Sequence, residues 1–280
     1  MKNTIILLSF PVLMLAGLGS CGDNGDDPPI PEEGSWYRPA PEVSFDWDLR
    51  SDIPQDMTYS AKVVDIDAFD NEEEFIDALH IQGKKVFAYI SAGSWEEWRP
   101  DAGDFPQEVI GNTYPDWDGE RFLDISRIDL LAPIMRARLD MIKAKGFDGV
   151  EPDNIDLHSW TTDELGFEIT EEDVIAYSEW LANEAHSRGL SIGQKNASDL
   201  SEQLVDTFDW ILLEDAFYEG FQDEAQVYIE NGKAVFAVEY TDNFTETYIF
   251  SGQVCNEAAQ MHYTAILKHR ELDGFVVDCQ

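Results

Sequence analysis

Short apolar runs alternate with longer segments of helical periodicity from residue 43 onward. The runs are rich in β-branched and aromatic residues, which favours strands. They lie at residues 43–49, 61–69, 85–93, 148–154, 190–196, 210–217, 234–241 and 274–280. The segments between them place apolar residues every three or four positions, which predicts helices at residues 71–83, 129–146, 170–189, 199–206, 223–232 and 256–274. A further apolar piece at residues 122–126 is not required by this pattern.

The alternation of strand and helix indicates parallel pairing, and eight such strands are what a closed barrel needs. We therefore predict an α/β fold, a single-domain (β/α)8 TIM-type barrel spanning residues 35–280. Three of the predicted helices are followed directly by Gly83, Gly146 and Gly189, as C-terminal caps are. A doubly wound open sheet is the alternative, but the chain lacks a glycine-rich nucleotide-binding turn.

The first 34 residues have the composition of a targeting segment and a tether. Lys2 precedes an apolar run at residues 4–19 that is too short for a comfortable membrane span. The string LGSC at residues 18–21 resembles a bacterial lipobox, which implies removal of residues 1–20 and lipidation of Cys21. Residues 21–34 are acidic and rich in Pro and Gly, as linkers are. We expect an exported protein that a lipid anchors to a bacterial membrane.

The remaining cysteines fit this compartment. Cys255 and Cys279 are left once Cys21 is set aside, and in an exported protein two such cysteines usually form a disulfide. The five histidines are scattered, and no Cys/His cluster has zinc-ligand spacing, so we expect no metal and no cofactor.

The charge of the chain restricts its partners. It contains 57 acidic and 18 basic residues, a formal net charge of −39, which repels nucleic acids. A neutral or cationic partner fits better, although the charge also suits a soluble surface or a salty habitat. The last predicted helix has enough apolar residues to pack on the barrel, so we expect a monomer.

Polar residues are concentrated where the predicted strands end. In a parallel barrel these ends surround the active site, and buried acids are costly unless they are paired. The cluster therefore predicts a polar pocket, although any one of these acids could instead cap a helix or pair with a lysine. Its members are Asp65, Asp67, Tyr89, Ser91, Glu151, Asp153, Lys195, Asn196, Glu214, Asp215, Glu239 and Tyr240.

Strand alternation selects two of these acids. Asp153 shares a face with Glu151, and Glu214 is in phase with Leu212, so Asp153 and Glu214 face each other with Lys195 on the strand between them. Two opposed carboxylates can cleave a glycosidic bond, one as nucleophile and the other as proton donor. Lys195 would favour an ionised Asp153.

Several strings in the chain resemble glycoside hydrolase family 114, which is typified by endo-α-1,4-polygalactosaminidases. They lie at residues 88–101, 119–125, 146–154, 193–196, 212–217 and 238–240. The resemblance implies a TIM-type barrel that hydrolyses α-1,4-linked galactosamine polymers with retention of configuration. By comparison with related barrel glycosidases, it implies Asp153 as nucleophile and Glu214 as acid/base.

A partly deacetylated galactosamine polymer is cationic, so an acidic cleft would attract it. Candidates for ammonium or hydroxyl recognition are Asp65, Asp67, Glu151, Asp156 and Glu239, and candidates for stacking on sugars are Trp47, Tyr89, Trp95, Trp98, Trp160 and Tyr240. Core packing is the common alternative for tryptophan. Two other functions stay open. The first is a surface carbohydrate-binding lipoprotein without catalysis, which is suggested because Leu213 and Asp215 replace the usual neighbours of Glu214. The second is a glycosidase of another α-linked polysaccharide.

Overall fold

The computed structural model describes residues 36–115 and 117–279. The predicted leader, the lipidation site at Cys21 and the acidic linker lie outside these residues. Within the described ranges, no helix has the length and apolar character needed to cross a membrane.

The core of the fold is a curled sheet of eight parallel strands. In chain order the strands are β1 (Phe45–Asp48), β2 (Val63–Asp67), β3 (Lys85–Ser91), β4 (Ser94–Glu96), β5 (Ile110–Thr113), β6 (Glu120–Leu123), β7 (Gly149–Asp153), β8 (Ser191–Lys195), β9 (Trp210–Glu214), β10 (Ala234–Tyr240), β11 (Thr264–Lys268) and β12 (Val277–Asp278). The parallel order is β1-β2-β3-β7-β8-β9-β10-β11, and β12 pairs antiparallel with β11. The predicted TIM-type barrel is confirmed.

Helices cover the outside of the sheet. They are α1 (Glu73–Ile81), α2 (Ile128–Ala144), α3 (Thr162–Leu165), α4 (Glu171–Ser187), α5 (Ser201–Leu204), α6 (Ala216–Glu219), α7 (Gln226–Glu230) and α8 (Thr247–Met261), with 3-10 turns at 102–104, 107–109, 157–159, 198–200 and 222–225. Gly83, Gly146 and Gly189 end α1, α2 and α4 with φ values of 79°, 90° and 69°, as predicted. An L-residue pays a steric penalty in that left-handed conformation, so glycine is favoured.

Side-chain contacts join the first and eighth parallel strands and so close the barrel. Lys268 Nζ at the end of β11 lies 2.9 Å from Asp46 Oδ1 of β1. The Thr264 hydroxyl donates to the Val43 carbonyl oxygen at 2.8 Å. Lys268 is fully buried, so its ion pair fixes the seam in a low-dielectric environment.

The last β/α unit differs from the prediction. The helix predicted at residues 256–274 is wrong: α8 starts at Thr247 and ends at Met261, and residues 264–268 form the eighth parallel strand. The segment at residues 274–280 therefore is not that strand, and its described part contributes only the short antiparallel β12. The helix stops because His262 takes a left-handed φ of 61°. Sequence patterns expect glycine or asparagine in that role, so this stop signal was missed.

A disulfide ties this C-terminal region together. Cys255 of α8 and Cys279 after β12 are bonded, as predicted. The bond holds the chain end against the helix that precedes β11.

An antiparallel three-stranded sheet, which we call the insertion, lies between β3 and α2. It has the order β4-β6-β5 and covers residues 94–123. The piece predicted at 122–126 overlaps its middle strand. On one side of the insertion, the rings of Tyr114, Phe122 and Trp160 pack within 6 Å of one another.

Aromatic side chains fill the half of the barrel lumen that is nearer the amino ends of the parallel strands. Phe87 stacks on Trp210 at 4.7 Å, and Phe45 stacks on Phe236 at 4.3 Å. The lumen accommodates Trp210 because position 193 is glycine: a Cβ there would come within 2.5 Å of the indole. The polar residues of the predicted pocket are thereby confined to the half of the lumen that is nearer the carboxyl ends of the strands.

The described chain begins at the base of the barrel, where the strands start. Asp209 precedes β9, and its Oδ1 accepts hydrogen bonds from Trp36 Nε1 at 3.0 Å and Arg38 Nε at 3.1 Å. The Trp36 indole also stacks on His186 at 4.2 Å. Tyr37 packs against the aromatic filling of the lumen. These contacts close the base.

Candidate active site

A cleft of about 340 Å³ opens at the other end of the barrel, where the parallel strands end. Its floor is formed by residues at the ends of β3, β7, β9 and β10, and one wall is formed by the insertion. The lining consists of Trp47, Leu49, Asp67, Asp70, Tyr89, Glu96, Trp98, Arg99, Tyr114, Trp117, Glu120, Asp153, Asn154, Asp156, Asn196, Glu214, Tyr240, Arg270, Glu271 and Leu272.

A single buried ammonium group organises the floor of the cleft. Lys195 ends β8, and its Nζ lies 2.7 Å from Asp153 Oδ1 and 3.0 Å from Glu214 Oε2. The same Nζ lies 3.1 Å from Glu151 Oε1 and 4.5 Å from the centre of the Trp47 ring. The predicted arrangement is present: the two carboxylates face each other with Lys195 between them.

Neutral donors fix each carboxylate further. The Tyr89 hydroxyl donates to Asp153 Oδ2 at 2.9 Å, and the Tyr240 hydroxyl donates to Glu214 Oε1. Asn196 holds Glu214 twice, since its Nδ2 donates to Oε2 at 3.3 Å and its Oδ1 accepts from the Glu214 backbone N–H at 3.0 Å. Each carboxylate is therefore held by the shared lysine and by one tyrosine.

The protonation of these groups follows from their contacts. Burial alone would raise the pKa of Glu214, but the Lys195 charge and the hydrogen bonds from Tyr240, Lys195 and Asn196 outweigh it and lower the pKa. Burial alone would lower the pKa of Lys195, yet Asp153, Glu151 and Glu214 raise it well above its usual value. Lys195 is charged and Glu214 is ionised at neutral pH.

Two more acids lie in the lumen beneath Lys195. Asp65 and Glu151 are completely buried, and burial raises the pKa of both well above the usual range despite the nearby ammonium. Both Asp65 oxygens and Glu151 Oε2 lack a hydrogen-bond partner within the described chain. Burial therefore favours the neutral forms of these two carboxyls, and the charge of Lys195 acts mainly on the two acids above it.

Backbone strain is concentrated directly after the functional residues. Asn154, Asn196, Ala197 and Asp215 have left-handed φ values of 63°, 46°, 48° and 53°. They follow Asp153, Lys195 and Glu214. Such conformations cost of order 1–3 kcal/mol each and persist where the surroundings impose them. They end each strand abruptly, so that its last side chain stays at the floor of the cleft.

The cleft walls add acids that are short of cationic partners. Burial raises the pKa of Glu120 to about 7, and burial together with the charge of Asp153 raises the pKa of Asp156 to about 6. By contrast, Asp67 is paired with Arg99 at 2.7 Å. Glu120 and Asp156 would gain most from a bound cation, because a nearby positive charge favours their ionised form.

This geometry suits acid/base chemistry with a nucleophile. Because Asp153 Oδ1 and Glu214 Oε2 lie 2.7 and 3.0 Å from one nitrogen, their separation is at most the sum of these two distances. These two nearest oxygens are therefore close together, which agrees better with the roughly 5–5.5 Å between the carboxyl groups of retaining glycosidases than with the roughly 6.5–9.5 Å of inverting ones. In the described part of the chain, no group of three or more His, Cys, Asp or Glu side chains is arranged to hold a metal ion.

Comparison with known proteins identifies the family. The sequence profile of glycoside hydrolase family GH114 matches residues 28–280, most of the chain. The chain belongs to glycoside hydrolase family GH114. Aspergillus fumigatus Ega3, whose crystal structure is in complex with galactosamine, is 34% identical in sequence to this GH114 chain. The two structures match with a TM-score of 0.81. The match covers 87% of this chain and 97% of Ega3.

Two more distant matches extend the comparison. The glycoside hydrolase domain of PelA from Pseudomonas aeruginosa has a TM-score of 0.66 at 14% identity, over 84% of this chain and 97% of that domain, and so shares the fold. The uncharacterized protein MJ1477 of Methanocaldococcus jannaschii is 26% identical over 199 residues, 62% of this chain. The GH114 chain spans 57% of the length of MJ1477.

The structure divides the residues predicted for the GH114 site into two groups. Those lining the cleft are Asp67, Tyr89, Asp153, Asp156, Asn196, Glu214 and Tyr240, together with the stacking candidates Trp47 and Trp98. Those placed behind the lining are Asp65, Ser91, Trp95, Glu151, Lys195, Glu239 and Trp160. Lys195 lies behind the lining but still contacts the two opposed carboxylates through its ammonium group, and Glu151 contacts that same ammonium group.

Strand alternation and local packing explain the second group. Glu239 points away from the lumen because Tyr240 points into it, and its carboxylate accepts backbone hydrogen bonds from Phe217 and Tyr218 at 2.9 and 3.3 Å. The Trp95 indole donates to the Ala102 carbonyl oxygen at 2.9 Å. Ser91 is buried under the loop after Asp153, where its hydroxyl accepts from Asn154 Nδ2 at 3.0 Å.

Sequence reasoning did not assign several residues that line the cleft, among them Asn154, Arg99, Glu120, Trp117 and Arg270. Three of them come from the insertion, whose strands carry no parallel-barrel pattern. Arg99, Glu120 and Asn154 lie inside the family strings at residues 88–101, 119–125 and 146–154, which were the available signal. Arg270 follows β11, so the error in the last β/α unit hid it.

Proposed function

We propose that this protein is an endo-acting hydrolase of α-1,4-linked galactosamine polysaccharide, with Asp153 as nucleophile and Glu214 as acid/base. The observation that carries the proposal is the pair of opposed carboxylates held on Lys195 at 2.7 and 3.0 Å. The resemblance to Ega3, whose crystal structure contains galactosamine, supports the choice of sugar.

The mechanism follows from the contacts of the two acids. Asp153, oriented by Lys195 and Tyr89, attacks the anomeric carbon while Glu214 donates a proton to the leaving oxygen. Water then attacks the glycosyl-enzyme, and Glu214 takes its proton. The two inversions give net retention, in keeping with the short separation of the carboxylates.

The lowered pKa of Glu214 suits the second step, in which it acts as a base. The first step needs the protonated form, so Glu214 must gain a proton before the bond breaks. The pH dependence of kcat/KM, which reports the free enzyme, is therefore bell-shaped with its maximum on the acid side of neutrality.

The acidic cleft supports a cationic substrate. Its lining contains eight carboxylates and two arginines, and the chain as a whole carries a net charge of −39. Such a field raises the local concentration of a polycation and speeds its association. Glu120 and Asp156 are the wall acids best placed to bind ammonium groups, because burial raises the pKa of both and neither forms an ion pair among the described contacts.

The test is product analysis on partly deacetylated α-1,4-galactosamine polymer. We expect the parent protein to release short oligomers and Asp153→Asn and Glu214→Gln to be slowed at least about 10²-fold. An oligomer with an activated aryl leaving group should restore the first step to Glu214→Gln, seen as a burst of released phenol, but not to Asp153→Asn, because such a leaving group needs no acid while the second step still lacks its base. Asp140→Asn, on the outer surface, is the control.

The outcomes separate the alternatives. Equal activity of the Asp153 variant and the parent would refute the assigned nucleophile. A parent that binds the polymer without releasing products would indicate a carbohydrate-binding protein, and cleavage of only another α-linked polysaccharide would change the substrate.

We also propose that the protein is exported and anchored through a lipid on Cys21. The disulfide between Cys255 and Cys279 supports export, since disulfides persist in oxidising compartments. Mass spectrometry of the mature N-terminus tests the anchor: an acylated Cys21 is expected, and an unmodified one would contradict it.

A further inference from the structure

Two tryptophans at the rim of the cleft differ from the rest. The chain contains eight tryptophans, and six of them are buried or half-buried in the fold. Trp98 and Trp117 are instead 51% and 53% exposed. Exposing a large aromatic ring to water is unfavourable, so a pair of them on one surface points to a binding role.

Both tryptophans belong to the insertion and lie at one end of it. The Glu97 backbone N–H donates to the Gly119 carbonyl oxygen at 3.0 Å, which pairs the segment before Trp98 with the segment after Trp117. A second bond, from Glu120 N–H to the Trp117 carbonyl oxygen at 3.2 Å, closes the turn. Both side chains line the same cleft as the catalytic carboxylates.

Ion pairs hold the insertion rigidly against the barrel. Arg99, next to Trp98, lies 2.7 Å from Glu96 and 2.7 Å from Asp67 of β2. Arg138 of α2 lies 2.7 Å from Asp101 and is almost completely buried. The tryptophans are thus carried on a fixed support, and binding to them needs little ordering of the protein.

The other rim of the cleft has a different character. It is formed by Arg270, Glu271 and Leu272, and Arg270 is held over the Tyr240 ring by Asp215 and Asp242. The exposed aromatic surface of the cleft is therefore on the insertion side, among the acids Asp70, Glu96 and Glu120.

We propose that Trp98 and Trp117 form a subsite that binds amino-sugar units of the polymer away from the bond being cleaved. The flat indole faces pack against the apolar C–H faces of pyranose rings, and an ammonium group is attracted to the same faces and to the neighbouring carboxylates. The inference rests on the proposed function for the identity of the sugar. Its consequence is specific: the subsite increases affinity for long chains and leaves the chemical step unchanged.

The test compares Trp98→Ala, Trp117→Ala and the double variant with the parent. Tyr248→Ala is the matched control, because Tyr248 is 72% exposed and lies outside the cleft lining. We measure KM and kcat on long partly deacetylated α-1,4-galactosamine polymer and on the shortest oligomer that the parent cleaves. We also measure retardation of each variant in the Asp153→Asn background on gels containing the polymer.

Each tryptophan variant should raise KM for the polymer about threefold to tenfold and reduce retardation to match. Its kcat, and its kcat/KM on the shortest oligomer, should stay within about twofold of the parent. The control should behave as the parent does. Loss of activity on both substrates alike, or unchanged KM for the polymer, would overturn the inference.

The gel measurement separates this inference from the proposed function. If the parent does not cleave the polymer but its retardation depends on the two tryptophans, the subsite stands and the endo-hydrolase proposal fails. If the parent cleaves the polymer and the variants match it in both measurements, the subsite fails alone. A parent that is neither active nor retarded refutes both.

Discussion

One lysine determines how the two carboxylates of the site behave. Lys195 is only 1% exposed and touches Asp153, Glu151 and Glu214 at 2.7–3.1 Å. A buried ammonium of this kind is tolerated because its partners compensate for the lost hydration. Burial favours the neutral forms of Asp65 and Glu151 beneath it, and the lysine holds Asp153 and Glu214 at a distance where two carboxylates would otherwise repel each other.

The Tyr240 hydroxyl is one of the groups that lower the pKa of Glu214, the proposed acid/base. Removing it in Tyr240→Phe takes one hydrogen bond from the ionised form of Glu214, so the pKa of Glu214 rises. Hydrogen bonds to charged groups contribute about 1.5–3 kcal/mol, and one pKa unit corresponds to about 1.4 kcal/mol. The alkaline limb of the bell-shaped kcat/KM profile, which the proposed mechanism assigns to Glu214, should therefore move to higher pH by about one to two units.

The control for this measurement is Tyr228→Phe. It removes a buried hydroxyl that donates to Gln194 away from the cleft, so both limbs should stay in place. A Tyr240→Phe profile that coincides with the parent, or moves to lower pH, would show that Glu214 does not set that limb.

Residue-level prediction succeeded where a side chain follows the strand pattern. Asp153, Lys195 and Glu214 were predicted to converge because each falls on the lumen face of its strand, and they do. Glu239 was included for its place at a strand end, although alternation turns it outward next to Tyr240. Contacts such as Asn196 to Glu214 depend on left-handed backbone that sequence patterns do not specify.

At the scale of elements, the loop after β3 determines where β7 ends. The backbone N–H groups of Ala92 and Gly93 donate to the Asp153 carbonyl oxygen at 2.9 and 3.1 Å. A Cβ on residue 93 would lie 1.6 Å from the Asn154 carbonyl oxygen, which is far inside van der Waals contact. The position of the proposed nucleophile therefore depends on a glycine in another element.

Gly93→Ala should push the Asp153–Asn154 segment out of place. Misplacement by about 1 Å can cost about 10²-fold in rate, so we expect kcat/KM to fall at least that far, with a lower Tm. Gly103→Ala, in the nearby insertion, is the matched control, because its Cβ would meet nothing within 4 Å. Comparable activities of the two variants would show that the loop tolerates the displacement.

The elements that sequence predicted best are those with strong periodicity and glycine caps. The first seven barrel strands and the helices α1, α2 and α4 were predicted close to their observed positions. Prediction failed at the last β/α unit, where apolar residues continue past His262 without a glycine to mark the helix end. The insertion was also missed, because its strands are short and pair locally.

At the scale of the whole molecule, buried acids make stability depend on pH in an unusual direction. Burial raises the pKa of Glu120 and Glu239 to about 7 and that of Asp156 to about 6, and it raises the pKa values of Asp65 and Glu151 well above the usual range. Between the ordinary pKa near 4 and these raised values, the folded state binds more protons than the unfolded chain. Stability therefore falls as pH rises through this window.

We expect Tm to fall by at least about 5 °C between pH 5 and pH 8, since 1 kcal/mol shifts Tm by about 2–4 °C in chains of this size. Groups with lowered pKa, such as Glu214, do not oppose this change because they are ionised in both states above pH 5. Glu120→Gln should flatten the dependence. Calorimetry across this range is the measurement, and a Tm that rises with pH would contradict the assignment.

The described chain enters the barrel at its closed base, on the side opposite the cleft. Trp36 and Tyr37 fix the start of the described chain at the end opposite the cleft. With the proposed lipid on Cys21, the 15 residues from there to Trp36 reach about 50 Å when extended. The proposed tether then joins the barrel at the end opposite the cleft, so polymer enters the cleft without passing the point of attachment.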